Sequence, residues 1–155
     1  MQTLLSILLI VQFLIVVSHD WLDIPGWVNG SRVQAIVGRR KLLAASIINA
    51  VFPGVAVAFA IVFWSRRPAW YAPTYWVVYC AITVISAIAM WYVPYWFGAC
   101  EPTCREYTLM YANTRQILPP RGDNPRPNLF HILLHILFAT TLALAVLLRF
   151  GHGQP

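Results

Sequence analysis

The sequence predicts an all-α membrane protein with four transmembrane helices and an amphipathic helix in its third loop. Three observations carry this expectation. Of 155 residues, 59% are hydrophobic and only 10% are charged, against about 25% charged in an ordinary soluble domain. Mean hydropathy is +0.64, and a chain this short has no core large enough to hide so much apolar surface from water. The apolar residues fall into four runs, about 3–22, 42–64, 73–96 and 129–148, each close to the ~20 helical residues that cross a hydrocarbon layer. The runs lack the polar/apolar alternation of barrel strands, so helices, which satisfy their own backbone amides, are expected. The whole chain, 1–155, reads as one polytopic domain. A water-soluble enzyme, a disordered tail and a nucleic-acid-binding domain are excluded on the same grounds.

The first run is uncharged over 3–18 and just long enough to span. No Lys or Arg precedes it, so the basic segment of a cleaved signal peptide is missing and the run is expected to remain as a span. A turn-rich stretch from Asp20 to Gly26 follows, and a short helix is expected from Ser31. The sequon Asn29-Gly30-Ser31 falls on a face expected to be cytoplasmic and is read as unmodified. In the second run, Ser46, Asn49 and Pro53-Gly54 make a polar, kinkable stretch, because Pro53 cannot donate to the carbonyl one turn earlier. Aromatic residues bracket the third run: Trp64, Trp70, Tyr71, Tyr75 and Trp76 on one side, Trp91, Tyr92, Tyr95 and Trp96 on the other. Such rings are expected as headgroup-level anchors.

The third loop, about 97–128, holds the most information. Thr103 and Glu106 have the spacing of a capping box. Tyr107, Met110, Tyr111, Thr114, Ile117 and Leu118 then recur at helical spacing until Pro119-Pro120, which predicts the amphipathic helix. The prolines of 121–128 hold that stretch extended as a strap, and Asn128 is placed to cap the fourth span.

The net charge of +6 resolves by loop. Arg32, Arg39, Arg40, Lys41, Arg105, Arg115, Arg121 and Arg126 lie in loops one and three, against Arg66, Arg67 and Arg149 elsewhere. The positive-inside rule then predicts a multi-pass inner-membrane protein with loops one and three cytoplasmic and both termini outside.

Three sets of residues are candidates for chemistry. Cys100, Cys104, His131 and His135 lie near one membrane boundary, the histidines four apart on one helix face, and two thiolates with two imidazoles suit tetrahedral zinc. The plainer alternative has the cysteines as small buried residues and the histidines bonded across helices to Gln12, Asn49 or Tyr79. Gln12, Asn49 and His135 are polar groups at membrane depth and would line any hydrated path. Arg105, Arg115, Arg121 and Arg126 suit the phosphates of anionic lipid, with Arg121 and Arg126 immobilised by prolines and placed to pair with Glu101, Glu106 or Asp123.

No carboxylate pair, Ser/His/Asp set or glycine-rich phosphate loop is present. The expected role is therefore non-catalytic: an accessory or binding protein that contacts membrane lipids, a membrane-protein partner or a second copy of itself through the Arg/Pro-rich loop. Two alternatives stay open. One is a membrane-embedded enzyme with a Cys/His centre acting on a lipid-like or thiol substrate; the other is a small transporter or channel.

Overall fold

The computed structural model describes residues 1–151. In chain order the elements are α1 (Gln2–Ser18), continued by a tight 3-10 turn at His19–Trp21, a two-residue hairpin of β1 (Asp23–Ile24) and β2 (Val28–Asn29), α2 (Gly30–Val37), α3 (Arg39–Val62), α4 (Tyr71–Phe97), α5 (Glu101–Tyr111) and α6 (Leu129–Phe150). Four of these helices, α1 with its 3-10 turn, α3, α4 and α6, are long and apolar enough to cross a membrane. Helix α1 packs on α3 and α6, and α4 packs on the same two. The four therefore form an up-and-down ring with each helix antiparallel to its neighbours.

Small residues set the close approaches. Ala56 and Ala60 on α3, Ala72 on α4 and Ala145 on α6 are completely buried, with Leu5, Leu9 and Trp76 filling the space between. In lipid, where apolar burial gives no advantage over the acyl chains, such close packing and interhelical hydrogen bonds hold a bundle together. Those bonds are present. Gln12 donates to Thr141 Oγ1 and to the Leu137 carbonyl, joining α1 to α6. The Trp76 indole donates to the Ala56 carbonyl at 3.0 Å and the Tyr75 hydroxyl to the Phe52 carbonyl at 2.9 Å, joining α4 to α3. The outward faces keep Ile47, Phe52, Ile61, Ile82, Ile85 and Leu147 exposed, more contiguous apolar surface than a water-soluble monomer carries.

Three of the expected aromatic anchors are core residues instead. Trp76 has no exposed surface, and Trp91 and Tyr95 are 8% and 2% exposed. The cause lies partly in α4 itself, which widens into a π turn at Ile88–Tyr92. Pro94 follows, with no N–H for the Met90 carbonyl and a ring that would press on it; the wider turn accommodates both.

Loops one and three meet at the same end of the bundle and cap it. The hairpin turns at Pro25-Gly26, where the Trp27 amide donates to the Ile24 carbonyl at 2.9 Å and Gly26 takes φ +76°, the positive value a glycine at that turn position supplies. Gly26 pairs with Thr114 as a bridge, the Arg115 amide donates to the Gly26 carbonyl at 2.8 Å, and the Leu129 amide donates to the Arg115 carbonyl at 2.7 Å. Beneath these bonds Val33, Leu42 and Met110 form a second small core with Trp21, Tyr107 and Tyr111 against it. The strap is tied down in turn, with the Tyr95 hydroxyl donating to the Pro119 carbonyl and the Asn124 amide to the Tyr95 carbonyl. The short helix after Ser31 forms as expected, capped by Asn29, and the Asp23 carboxylate accepts from both the amide and hydroxyl of Ser31.

Helix α5 differs from its sequence expectation at both ends. It starts at Glu101 with Cys100 at the cap position, because Pro102 is preorganised for the first turn. Thr103 thus lies inside the helix and the capping box does not form. At the other end α5 stops at Tyr111, well short of Pro119, because the backbone of residues 114 and 115 pairs with Gly26 and Leu129.

Gly30 sits where the cap is tightest. A Cβ there would lie 2.7 Å from the Trp21 carbonyl carbon and 2.8 Å from both the Asp20 oxygen and the Leu22 nitrogen, all backbone atoms with little freedom to retreat. Gly30→Ala should therefore destabilise the protein by about 1–3 kcal/mol. Gly54→Ala, whose nearest neighbour would be the Phe13 ring at 3.8 Å, should change stability by less than about 1 kcal/mol. Chemical denaturation of the two variants in detergent compares them directly.

Candidate functional site

Beneath the cap the bundle holds a cluster of polar and aromatic side chains drawn from four elements. It begins with Asn128, which is fully buried at the start of α6. Its Oδ1 accepts from the His131 amide at 2.9 Å and lies 2.7 Å from His131 Nδ1, while its Nδ2 donates to the Trp27 carbonyl at 3.3 Å. With Nδ2 committed to a carbonyl, Oδ1 acts as acceptor, so His131 must carry its proton on Nδ1. His131 Nε2 is then a bare acceptor with no partner among the described residues. Ser6 Oγ is the one sealed side-chain N or O left without a partner among them, so Nε2 keeps an opening to the space around it.

His19 ends α1. Its Nδ1 faces the Ile15 and Val16 carbonyls at 3.1 Å each, supplying the donor that the last turn of a helix lacks. Its Nε2 turns to Asp20 Oδ1 at 3.3 Å. The His19 and His131 rings stand edge to face at 5.8 Å, and His135 lies one turn below His131, 3.3 Å from the Tyr92 hydroxyl through Nδ1. Trp91 packs on His131 with centroids 4.1 Å apart and touches Tyr107 and Tyr111 of α5 at 5.0 and 5.3 Å. Burial first, and then the nearby Asp20 carboxylate, pushes both phenols above the usual tyrosine range, so they remain O–H donors at neutral pH.

These groups form one end of a cavity of about 470 Å³ between α1, α3, α4, α5 and α6. The capped end is lined by His19, Asp20, Tyr107, Tyr111, His131 and His135, and the deeper walls are mostly apolar, with residues such as Phe52 and Phe138, but also carry Asn49, Tyr79, Thr83 and Ser86. Ile48 and Phe52 on α3 and Ile82 and Met90 on α4 also line it and are more than half exposed. The cavity thus opens sideways between α3 and α4, toward the surface that lipid would cover.

The residues singled out in the sequence fare unequally. His131 and His135 come together, and Asn49 lines the same cavity. Gln12 does not, being spent on the α1–α6 contact. Cys100 is exposed at the start of α5, with its Sγ 3.1 Å from Thr103 Oγ1, and Cys104 Sγ donates to the Ala99 carbonyl. Among the described residues no three His, Cys, Asp or Glu side chains lie close enough to hold one metal ion, so Cys100, Cys104, His131 and His135 do not converge as a zinc set. The arginines are not paired with acids either, since among the described residues the one contact of an acid with a basic side chain within ion-pair distance is that of Asp20 with the His19 ring. Arg121 stacks over Trp96 at 3.7 Å, Arg126 donates to the Leu118 carbonyl at 3.4 Å, and Arg115 lies along Gly26. Arg105 is exposed.

Sequence reasoning missed His19, Asp20, Trp91, Tyr107 and Tyr111 as members of one site. A usable signal was present: His19 and Asp20 are ionisable residues directly after the first span, at the same end as His131 and His135.

The Thr103 hydroxyl, and after it the Thr103 amide, draws the Cys100 thiol below the usual cysteine range. Cys100 should therefore alkylate faster than Cys104 at pH 7, and the buried Cys80 should be slowest. Thr103→Val should slow Cys100 and leave the other two unchanged, as mass-spectrometric counting of alkylated thiols over time would read.

No protein-family model matches the chain, and no match was found among curated proteins or solved structures.

Proposed function

We propose that this is a non-catalytic binding protein of the inner membrane that holds one amphiphilic molecule in the cavity beneath its cap. The observation that carries the reading is the cavity's polarity: ionisable and hydrogen-bonding side chains gathered at the capped end, mostly apolar walls below, and a mouth between α3 and α4. A molecule with a polar head and an apolar tail fits that gradient, and it can enter from lipid without crossing water. The capped end faces the cytoplasm in this reading. The exposed Arg39, Arg40, Lys41 and Arg105 then meet the anionic surface of that leaflet, where each contributes about 1 kcal/mol of attraction. Arg115, Arg121 and Arg126 serve the cap itself.

Ser86 lines the cavity and is exposed at its mouth, so Ser86→Trp should fill the space without touching the core. Extraction and mass spectrometry of protein purified in mild detergent should find about one amphiphile per chain in the native protein. The variant should retain at least tenfold less, on the order of 1.4 kcal/mol or more of lost affinity, with an unchanged thermal midpoint. Equal retention would refute cavity binding. Orientation is checked separately: in intact cells a membrane-impermeant maleimide should leave Cys100 unlabelled, and labelling should appear once the membrane is permeabilised.

A further inference from the structure

The polar end of the cavity also restricts which head group it accepts, and this argument rests on the binding role just proposed. No Lys or Arg lines the cavity, and its one carboxylate is Asp20. A phosphate head would find no guanidinium or ammonium to offset its charge, at a site of low polarity where that cost is largest, and the one imidazole beside Asp20, that of His19, already faces the carboxylate at 3.3 Å. A cationic head fares no better. Asp20 is already engaged by His19 Nε2, so an ammonium ion would find no free carboxylate to pair with. What remains is an uncharged head.

The hydrogen-bonding groups narrow the choice further. His131 is 5% exposed, its Nδ1 proton is held by Asn128, and Nε2 presents a lone pair that only a donor can satisfy. A buried acceptor left without a donor is costly, so the occupant that fits best brings its own O–H. The Tyr107 and Tyr111 phenols, which stay protonated, supply donors for the lone pairs of the same oxygen. The walls around this point are flat rings, with His131 against Trp91 at 4.1 Å and Tyr111 edge-on to His131 at 5.1 Å. Flat walls favour a flat head.

We infer that the occupant is an uncharged amphiphile with a hydroxyl-bearing aromatic ring, a phenol or hydroquinone on an apolar tail, whose hydroxyl donates to His131 Nε2. Binding alone is inferred, with no transfer of electrons.

The test uses the full chain in nanodiscs of zwitterionic lipid and three probes with one tail: para-dodecylphenol, its methyl ether para-dodecylanisole, and dodecyl phosphate. The phenol should bind at least about tenfold more tightly than the ether, the worth of one buried hydrogen bond, and dodecyl phosphate should not displace it. His131→Phe, which keeps a flat ring and the backbone bond to Asn128, should reduce phenol binding to the level of the ether and leave ether binding unchanged. The comparison of probes on the native protein stands even if that variant folds poorly. Equal binding of phenol and ether, abolished in both cases by Ser86→Trp, would overturn the hydroxyl assignment and keep the cavity role. Displacement of the phenol by dodecyl phosphate would overturn the uncharged head. Binding of no probe, or binding indifferent to Ser86→Trp, would overturn the cavity role itself.

Discussion

The side-chain amide of Asn128 makes three contacts at once, and the capped end of the protein depends on all of them. Its oxygen ends the run of unpaired amides at the start of α6 and accepts from the His131 ring, while its nitrogen reaches the Trp27 carbonyl in the first loop. One residue later the Leu129 amide closes onto Arg115. Helix start, imidazole tautomer and the meeting of loops one and three are therefore fixed together. An Asp at this position could accept the first two bonds but could not donate to Trp27, and a Ser could cap the helix but not span the gap. The residue type follows from the number and sign of the partners.

The cap answers a problem that a four-helix ring poses at its ends. Within hydrocarbon each helix satisfies its own backbone, but the connecting segments cannot, and they must find partners or meet water. At the end opposite the cap the solution is short. Gln2 bonds the Phe63 and Arg66 carbonyls, and Arg149 donates to Thr74 at 3.1 Å. At the capped end two longer connections satisfy each other, which encloses a polar space between them and the bundle. The candidate site exists because the loops were joined to one another and not each left to solvent.

The parts legible in the sequence are those set by neighbours along the chain. Four apolar runs gave four long helices, Asn128 was placed to cap α6 and does so, and Ser31 marks the start of a short helix. The cavity was not legible, because it joins residues more than a hundred positions apart, as His19 and His131 show. The Cys/His set failed for a related reason. Its members do share one end of the bundle, but Pro102 starts α5 early and leaves Cys100 exposed, while the histidines sit beneath the cap. Sharing an end is a statement about depth, and a binding site needs the other two dimensions as well. Helix α5 is shorter than the periodicity through Leu118 predicts, because that local pattern is overridden by backbone pairing with the hairpin.

The π turn in α4 carries a consequence for phase. Such a turn holds one more residue than the turn it replaces, so everything beyond it is offset by one step of the helical wheel, about 100°. Up to that point the helix presents Trp76, Tyr79 and Cys80 to the bundle, then Trp91 from within the turn and Tyr95 beyond it. In an unbroken α-helix of the same residues the two sets would slip out of alignment, carrying Tyr95 away from the strap and Trp91 away from His131. The extra residue acts as a spacer between two gear trains, keeping the half of α4 that packs the membrane core in mesh with the half that shapes the site. Insertions and deletions are thus less interchangeable here than substitutions: the exposed Ile88 and Ala89 can vary in side chain, but the count of residues from Ile88 to Tyr92 is fixed by what lies on either side.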